Sequence, residues 1–197
     1  APAVSPVRAN IVGIGASTGG PPALATVLGA LPGDFPAPVL VVQHMGAPFM
    51  EGFASWLSGQ TRLRVKLAEN REIPQPGTVY VAPGNYHLQL AAGNFLKLTT
   101  EPPLASQRPA ANFLFQSLAR TAGPKAVGVL LTGMGEDGAR GLLEMKEAGA
   151  FTIAEDESTS VVYGMPAAAV RLGGVSVSLP QDLIAARLIQ IATEKPS

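Results

Sequence analysis

Apolar positions along this chain follow two different rhythms. "NIVGIGA", "APVLVVQH", "KAVGVLLT" and "FTIAED" are almost continuously hydrophobic, and the first three lead into the amphipathic stretches "PPALATVLGAL", "FMEGFASWLSGQ" and "GARGLLEMKEAG". Strands apolar on both faces, alternating with helices, predict a parallel sheet covered on both sides. The middle of the chain differs. "TVYVAP", "YHLQLAA" and "NFLKLTT" alternate with period two around Gly-Asn pairs, which predicts an antiparallel hairpin or small meander. "ANFLFQSLARTAG" is predicted as a helix, and "PQDLIAARLIQIATE" as a final helix opened by Pro and Asp. The expected fold is α/β, a three-layer, mostly parallel doubly wound sheet with an inserted antiparallel hairpin. No repeat at solenoid periods is present.

Composition narrows the function classes. With 197 residues, 47% hydrophobic and 14% charged, the chain can bury one sizeable core. Lys+Arg and Asp+Glu are both 14, so no basic excess exists to hold a phosphate backbone, and no nucleic-acid partner is expected. Apolar runs such as "PVLVV" are far shorter than the roughly 20 residues of a membrane span, so no membrane insertion is expected either. There is no cysteine, hence no disulfide and no thiolate metal site, which fits a cytoplasmic protein. Two histidines are too few for a histidine metal cluster, and neither metal nor cofactor is expected. Residues 1–9 are small and Pro-containing and read as a linker remnant, with the domain running from 10 to 197.

Ligands of open parallel sheets gather at the carboxyl ends of the strands, so the residues that follow each strand are the candidates. Gly15-Ala16-Ser17-Thr18-Gly19 fits G-x-S-x-G at a strand-to-helix turn, where small flanking residues allow a sharp bend that exposes a serine hydroxyl. A Gly-rich turn with Ser17 as helix cap explains the same residues. His44 follows "VLVVQ" at the end of a neighbouring strand, where a general base or a structural imidazole could sit. His87, inside the hairpin segment, reads as structural or as part of the site's rim.

"TGMGEDG" supports three readings. Gly133, Gly135 and Gly138 form a G-x-G-x-x-G with Glu155, Asp156 and Glu157 downstream, a dinucleotide fingerprint. Alternatively Asp137 orients a histidine and the backbone N–H near Met134 faces an oxyanion. Asp137 could also simply cap the following helix. A serine, a histidine and an aspartate after three separate strands together favour the hydrolase reading.

In order, "IVGIGASTGGPPAL", "VVQHM", "VYVAPGNYHL", "LLTGMGEDGARGL" and "EDESTSVVYGMPAAAV" resemble the catalytic domain of bacterial chemotaxis protein-glutamate methylesterases, the CheB family. The resemblance implies hydrolysis of glutamyl methyl esters on chemoreceptor helices with release of methanol, and in many members deamidation of receptor glutamines. It implies Ser17 as nucleophile, His44 as base, Asp137 as acid, Met134 as a backbone oxyanion donor and Thr18 beside the nucleophile. Where the family has a segment like "RPSVD" this chain has "RPAAN", so Asn112 stands for an acid and Ala110 for a serine, and Gly46 replaces a proline after "QHM". These departures leave the three residues intact and bear on substrate preference and the rim. Family members usually carry an N-terminal receiver domain; this chain is expected to be a fragment or a receiver-free variant, and such a domain is an expected partner.

Overall fold

The computed structural model describes residues 8–194. Strands β1 (Ile11–Ala16), β2 (Val39–Gln43), β3 (Arg64–Leu67) and β4 (Thr78–Val81) lie in one sheet with β7 (Ala126–Leu130), β8 (Phe151–Glu155) and β9 (Val177–Leu179). Their order is β3-β4-β2-β1-β7-β8-β9, and every pairing is parallel. β5 (His87–Ala91) and β6 (Phe95–Thr99) pair antiparallel as a separate hairpin. Six α-helices cover the sheet: α1 (Gly20–Gly29), α2 (Met50–Ser58), α3 (Ala111–Thr121), α4 (Ala139–Glu147), α5 (Met165–Leu172) and α6 (Gln181–Thr193).

Alternation along each strand divides the core in two. Val12, Ile14, Val39 and Val41 face α1, α2 and α6, whereas Ile11, Leu40, Val42 and Leu130 face α3, α4, α5 and the hairpin. The expected three-layer architecture is therefore present. One part of the sequence reading needs correction: "TVYV" is not an arm of the hairpin but β4, an interior strand buried along its whole length. Its alternation of valines with Tyr80 resembles a half-exposed strand. The tyrosine ring nevertheless buries in the second core, and its hydroxyl accepts a bond from the Gln75 N–H at 2.8 Å. Elements β3, β9 and α5 have no counterpart in the hydrophobic pattern, because β3 and β9 are short, partly exposed edge strands and α5 is alanine-rich. Arg8 and Ala9, composition-wise part of the linker, bond to the end of α6 through Ala192 O and Ile191 O; the remainder of the linker, 1–7, lies outside the described residues. No described helix is long and apolar enough to cross a membrane.

Chain direction locates the crevice. From β1 the path leads through α1 to β2 on one side, and from β7 through α4 to β8 on the other, so the strand order reverses between β1 and β7. The helix facing that junction is α3, which lies unusually close to β1. A Cβ placed on Gly15 would come within 2.8 Å of Ala111 Cβ, at the first turn of α3. The glycines of "GIGAS" thus bring the α3 N-terminus down onto the carboxyl end of β1. Because Ala111 Cβ is fixed to the backbone and no rotamer change relieves the contact, Gly15→Ala is expected to destabilise the fold by about 1–3 kcal/mol. A urea titration checks this, and a midpoint equal to that of the unmodified chain would contradict the account.

Candidate active site

At the end of β1 the chain turns within three residues into α1. Ser17 N–H donates to Thr132 O at 2.9 Å, and Gly20 N–H closes the turn onto Ser17 O at 2.8 Å. The turn's left-handed residue is Gly19, with φ of 79°. Ser17 is not among the positive-φ residues, so the bend strains a glycine rather than the serine. Nor does Ser17 cap α1, whose N-cap is Gly19 with no side-chain cap bond. The serine is half-buried, and Thr18 beside it is exposed, with its carbonyl accepting the Thr132 hydroxyl at 2.9 Å.

β2 pairs with β1 so that Ala16 faces Gln43, and His44 N–H continues the ladder to Ala16 O at 3.0 Å. Extending that register by one residue sets Ser17 and His44 side by side, about 4.8 Å apart across the strands. Gln43 locks this arrangement. Its buried side chain donates from Nε2 to both Ser17 O, at 2.9 Å, and His44 O, at 3.1 Å. One amide group thus ties together the two strand ends that carry the serine and the histidine.

Asp137 closes the cluster from the third strand end. Its Oδ2 lies 2.6 Å from His44 Nε2, with the two side chains only 2% and 6% exposed respectively. The same oxygen accepts Ala111 N–H at 2.7 Å, and Oδ1 accepts Asn112 N–H at 3.0 Å. The carboxylate therefore sits on the N-terminal turn of α3, where free N–H groups and the helix dipole favour negative charge. With every other neighbour of the carboxylate a donor, the imidazole also donates, from Nε2. His44 Nδ1 is then the nitrogen with a lone pair, and it is buried with no protein partner. In the familiar serine-protease geometry the acid bonds Nδ1 and leaves Nε2 for the serine; here the ring is turned the other way. No hydrogen bond joins Ser17 to the ring among the described residues.

Asp137 does not cap its own helix. The N-cap of α4 is Gly138, and the N–H groups of Gly138 and Gly141 are taken by Asn112 Oδ1 at 3.1 and 2.8 Å. This also counts against the dinucleotide reading. Of the loop's glycines, Gly133 and Gly138 already have their N–H groups bonded, and Glu155 is fully buried, accepting from Thr132 N–H, Thr159 and Gln181. No ribose could reach it. Instead Glu155 anchors the residues leading into the Gly133 turn, with Gly133 N–H bonded to Val162 O at 3.0 Å. A Cβ on Gly133 would lie 2.7 Å from Ser17 Cβ, so this turn packs against the serine. The next residue, Met134, has its side chain 69% exposed, and its N–H makes no hydrogen bond among the described residues.

His87 is structural. It is fully buried, its Nδ1 accepts Ala110 N–H at 3.2 Å, its Nε2 donates to Pro102 O at 3.0 Å, and the ring stacks on Phe113. Both ring nitrogens are occupied. Asn112, expected to bear on the rim, is buried between α3 and α4. The roles that the residue-by-residue reading missed are those of the braces: Gln43, Asn112, Thr132 and Glu155. A polar residue closing an apolar strand, as in "VLVVQ" and "FTIAE", is the signal available for two of them.

Comparison with known proteins accords with this geometry. The family model for CheB methylesterase matches residues 12–188. A protein-glutamate methylesterase/protein-glutamine glutaminase of Paramagnetospirillum magneticum is 50% identical over 93% of this chain and 52% of its own length. Its counterpart in Nitrosospira multiformis is 47% identical over 98% of this chain and 54% of its own length. The chain thus spans about half the length of the curated relatives it matches. The crystal structure of the Thermotoga maritima CheB methylesterase catalytic domain superposes with a TM-score of 0.90 at 41% identity, covering 94% of this chain and all of that one. With the fold, the strand-end cluster and these matches in agreement, the chain belongs to the CheB methylesterase family.

Proposed function

We propose that this chain hydrolyses methyl esters of glutamyl side chains on chemoreceptor proteins, with Ser17 as nucleophile, His44 as general base and Asp137 as the acid that orients it. The observation that carries the reading is His44 itself: Nε2 is fixed to Asp137 at 2.6 Å, Nδ1 is buried and has no partner among the described residues, and the His44 N–H bonds to Ala16 O, next to Ser17. A buried imidazole nitrogen without a partner costs free energy unless a group arrives to use it. The family's relatives carry the same activity in their names, and several are also named glutaminases.

In this reaction the Ser17 hydroxyl attacks the ester carbonyl as its proton passes to His44 Nδ1. Asp137 stabilises the imidazolium that forms, and the α3 N-terminus holds the Asp137 carboxylate in place for the task. The tetrahedral oxyanion receives the unbonded Met134 N–H. Collapse returns the proton from Nδ1 to the departing methoxide, so methanol leaves and a glutamyl-serine ester remains. Water, deprotonated by the same nitrogen, then releases the glutamate. A glutamine amide would follow the same path with ammonia as the leaving group. Exposed Thr18 and Met134 leave the site open, as a side chain on a receptor helix requires. The setting for such a substrate is cytoplasmic, and a receiver domain outside this chain is the partner proposed for control.

Two measurements test the assignment. Ser17→Ala is expected to lower methanol release from methylated receptor by about 10⁶ without loss of structure; comparable turnover by the folded variant would overturn the nucleophile. If the Met134 amide rather than its side chain serves the oxyanion, Met134→Leu should retain most activity, whereas Met134→Pro should lose about 10² to 10³ in rate. Equal losses in both variants would assign the effect to the side chain.

A further inference from the structure

Helices α3 and α4 cap each other. Asp137, immediately before the N-cap of α4, accepts the N–H groups of Ala111 and Asn112 in the first turn of α3. Asn112 in turn accepts the N–H groups of Gly138 and Gly141 in the first turn of α4. The atom placed between those two donors has to be an acceptor, which fixes the orientation of the Asn112 amide. Neither helix supplies a side-chain cap from its own N-cap residue, since these are Ala110 and Gly138. Each N-terminus therefore depends on the other's side chain.

The segment that carries Asp137 has little else to hold it. Met134 is 69% exposed, Glu136 is exposed, and a Cβ on Gly135 would touch nothing within 4 Å. On its N-terminal side it is held where Gly133 N–H meets Val162 O and Gly133 O accepts from Gly164 and Met165, and on its C-terminal side where Glu136 O accepts the Ala139 N–H and Gly138 N–H meets Asn112. A carboxylate carried on such a segment keeps a 2.6 Å contact with an imidazole only if its far end is fixed, because hydrogen bonds weaken steeply with displacement and misalignment.

We propose that Asn112 is a positioning residue for ester hydrolysis: its side-chain oxygen, by holding Gly138 and Gly141, fixes the Asp137 carboxylate where His44 meets it. The proposal rests on the reading of Ser17, His44 and Asp137 given above. It assigns Asn112 no contact with substrate. Loss of the side chain should therefore lower kcat and leave KM unchanged, and any residue offering an acceptor at the same place should restore turnover.

The test compares Asn112→Ala and Asn112→Asp with the unmodified chain and with Ser17→Ala. Methanol release from a methylated receptor fragment gives kcat and KM, and proton NMR follows the downfield Nε2–H resonance of His44 bonded to Asp137. Asn112→Ala is expected to lower kcat at least about tenfold with KM within about twofold, and to weaken or abolish the resonance. Asn112→Asp, which keeps the acceptor, is expected to recover turnover to within about threefold and to keep the resonance. A folded Ala variant with unchanged kcat and resonance overturns the proposal. Should the Ala variant fail to fold, the Asp variant decides alone: retained turnover and resonance support the proposal, and a folded, inactive Asp variant overturns it. Ser17→Ala separates the two levels. If it keeps full turnover, the assignment of Ser17 as nucleophile fails and this proposal with it; if it is inactive while Asn112→Ala is unaffected, only the role of Asn112 falls.

Discussion

A single carboxylate joins the three parts of this site. Asp137 accepts from two N–H groups of α3 and from the imidazole of His44, so helix, strand-end histidine and β7 loop meet on two oxygen atoms. Burying a charge is costly unless donors surround it, and here every oxygen has one. The arrangement has a direction as well. Because the N-terminal turn of a helix supplies the donors, no neighbouring cation is needed to keep the carboxylate in place. The imidazole can then gain a positive charge during a reaction without competing with one.

That arrangement depends on how closely α3 approaches the sheet. The approach is set by residues that lack side chains: a Cβ on Gly13 would meet Leu118 at 2.5 Å and one on Gly15 would meet Ala111 at 2.8 Å. The glycines in "IVGIGAS" thus serve packing before they serve the turn. Ser17 itself needs no strained backbone. The left-handed position is borne by Gly19, and the serine is presented by the strand ending, with Thr132 and Gln43 holding its N–H and carbonyl. Conformational strain and presentation of the hydroxyl are separated onto neighbouring residues.

How far sequence alone could read this molecule follows from what each residue packs against. Strands apolar on both faces, β1, β2, β7 and β8, stand out because burial on both sides leaves no polar position to confuse the period. β4 misleads for the opposite reason: Tyr80 carries a hydroxyl that a neighbouring loop satisfies, so an interior strand acquires the look of a hairpin arm. Edge strands β3 and β9 are too short and too exposed for any period to register. The gathering of Ser17, His44 and Asp137 could be anticipated because parallel-sheet topology brings strand ends together. Asn112 and Glu155 were not, because their bonds run to backbone groups 23 to 29 residues away in other elements. A side chain that binds distant backbone leaves no local pattern.

The orientation of His44 follows from the same topology. The imidazole extends from the end of β2, with Ser17 on the adjacent strand β1 and Asp137 beyond β7, the strand on the far side of β1. Its Cβ is anchored beside Ser17 by the main-chain ladder to Ala16, and the ring must reach across β1 toward Asp137. The nitrogen farther from Cβ is Nε2, so that is the one that meets the acid. Nδ1, nearer the backbone, is left without a partner among the described residues. The reversal relative to the serine-protease arrangement is therefore a consequence of placing serine and histidine on neighbouring parallel strands with the aspartate one strand further away. Any domain that builds its site from this strand order faces the same constraint, and the α3 N-terminus is positioned to hold the acid at the distance it sets.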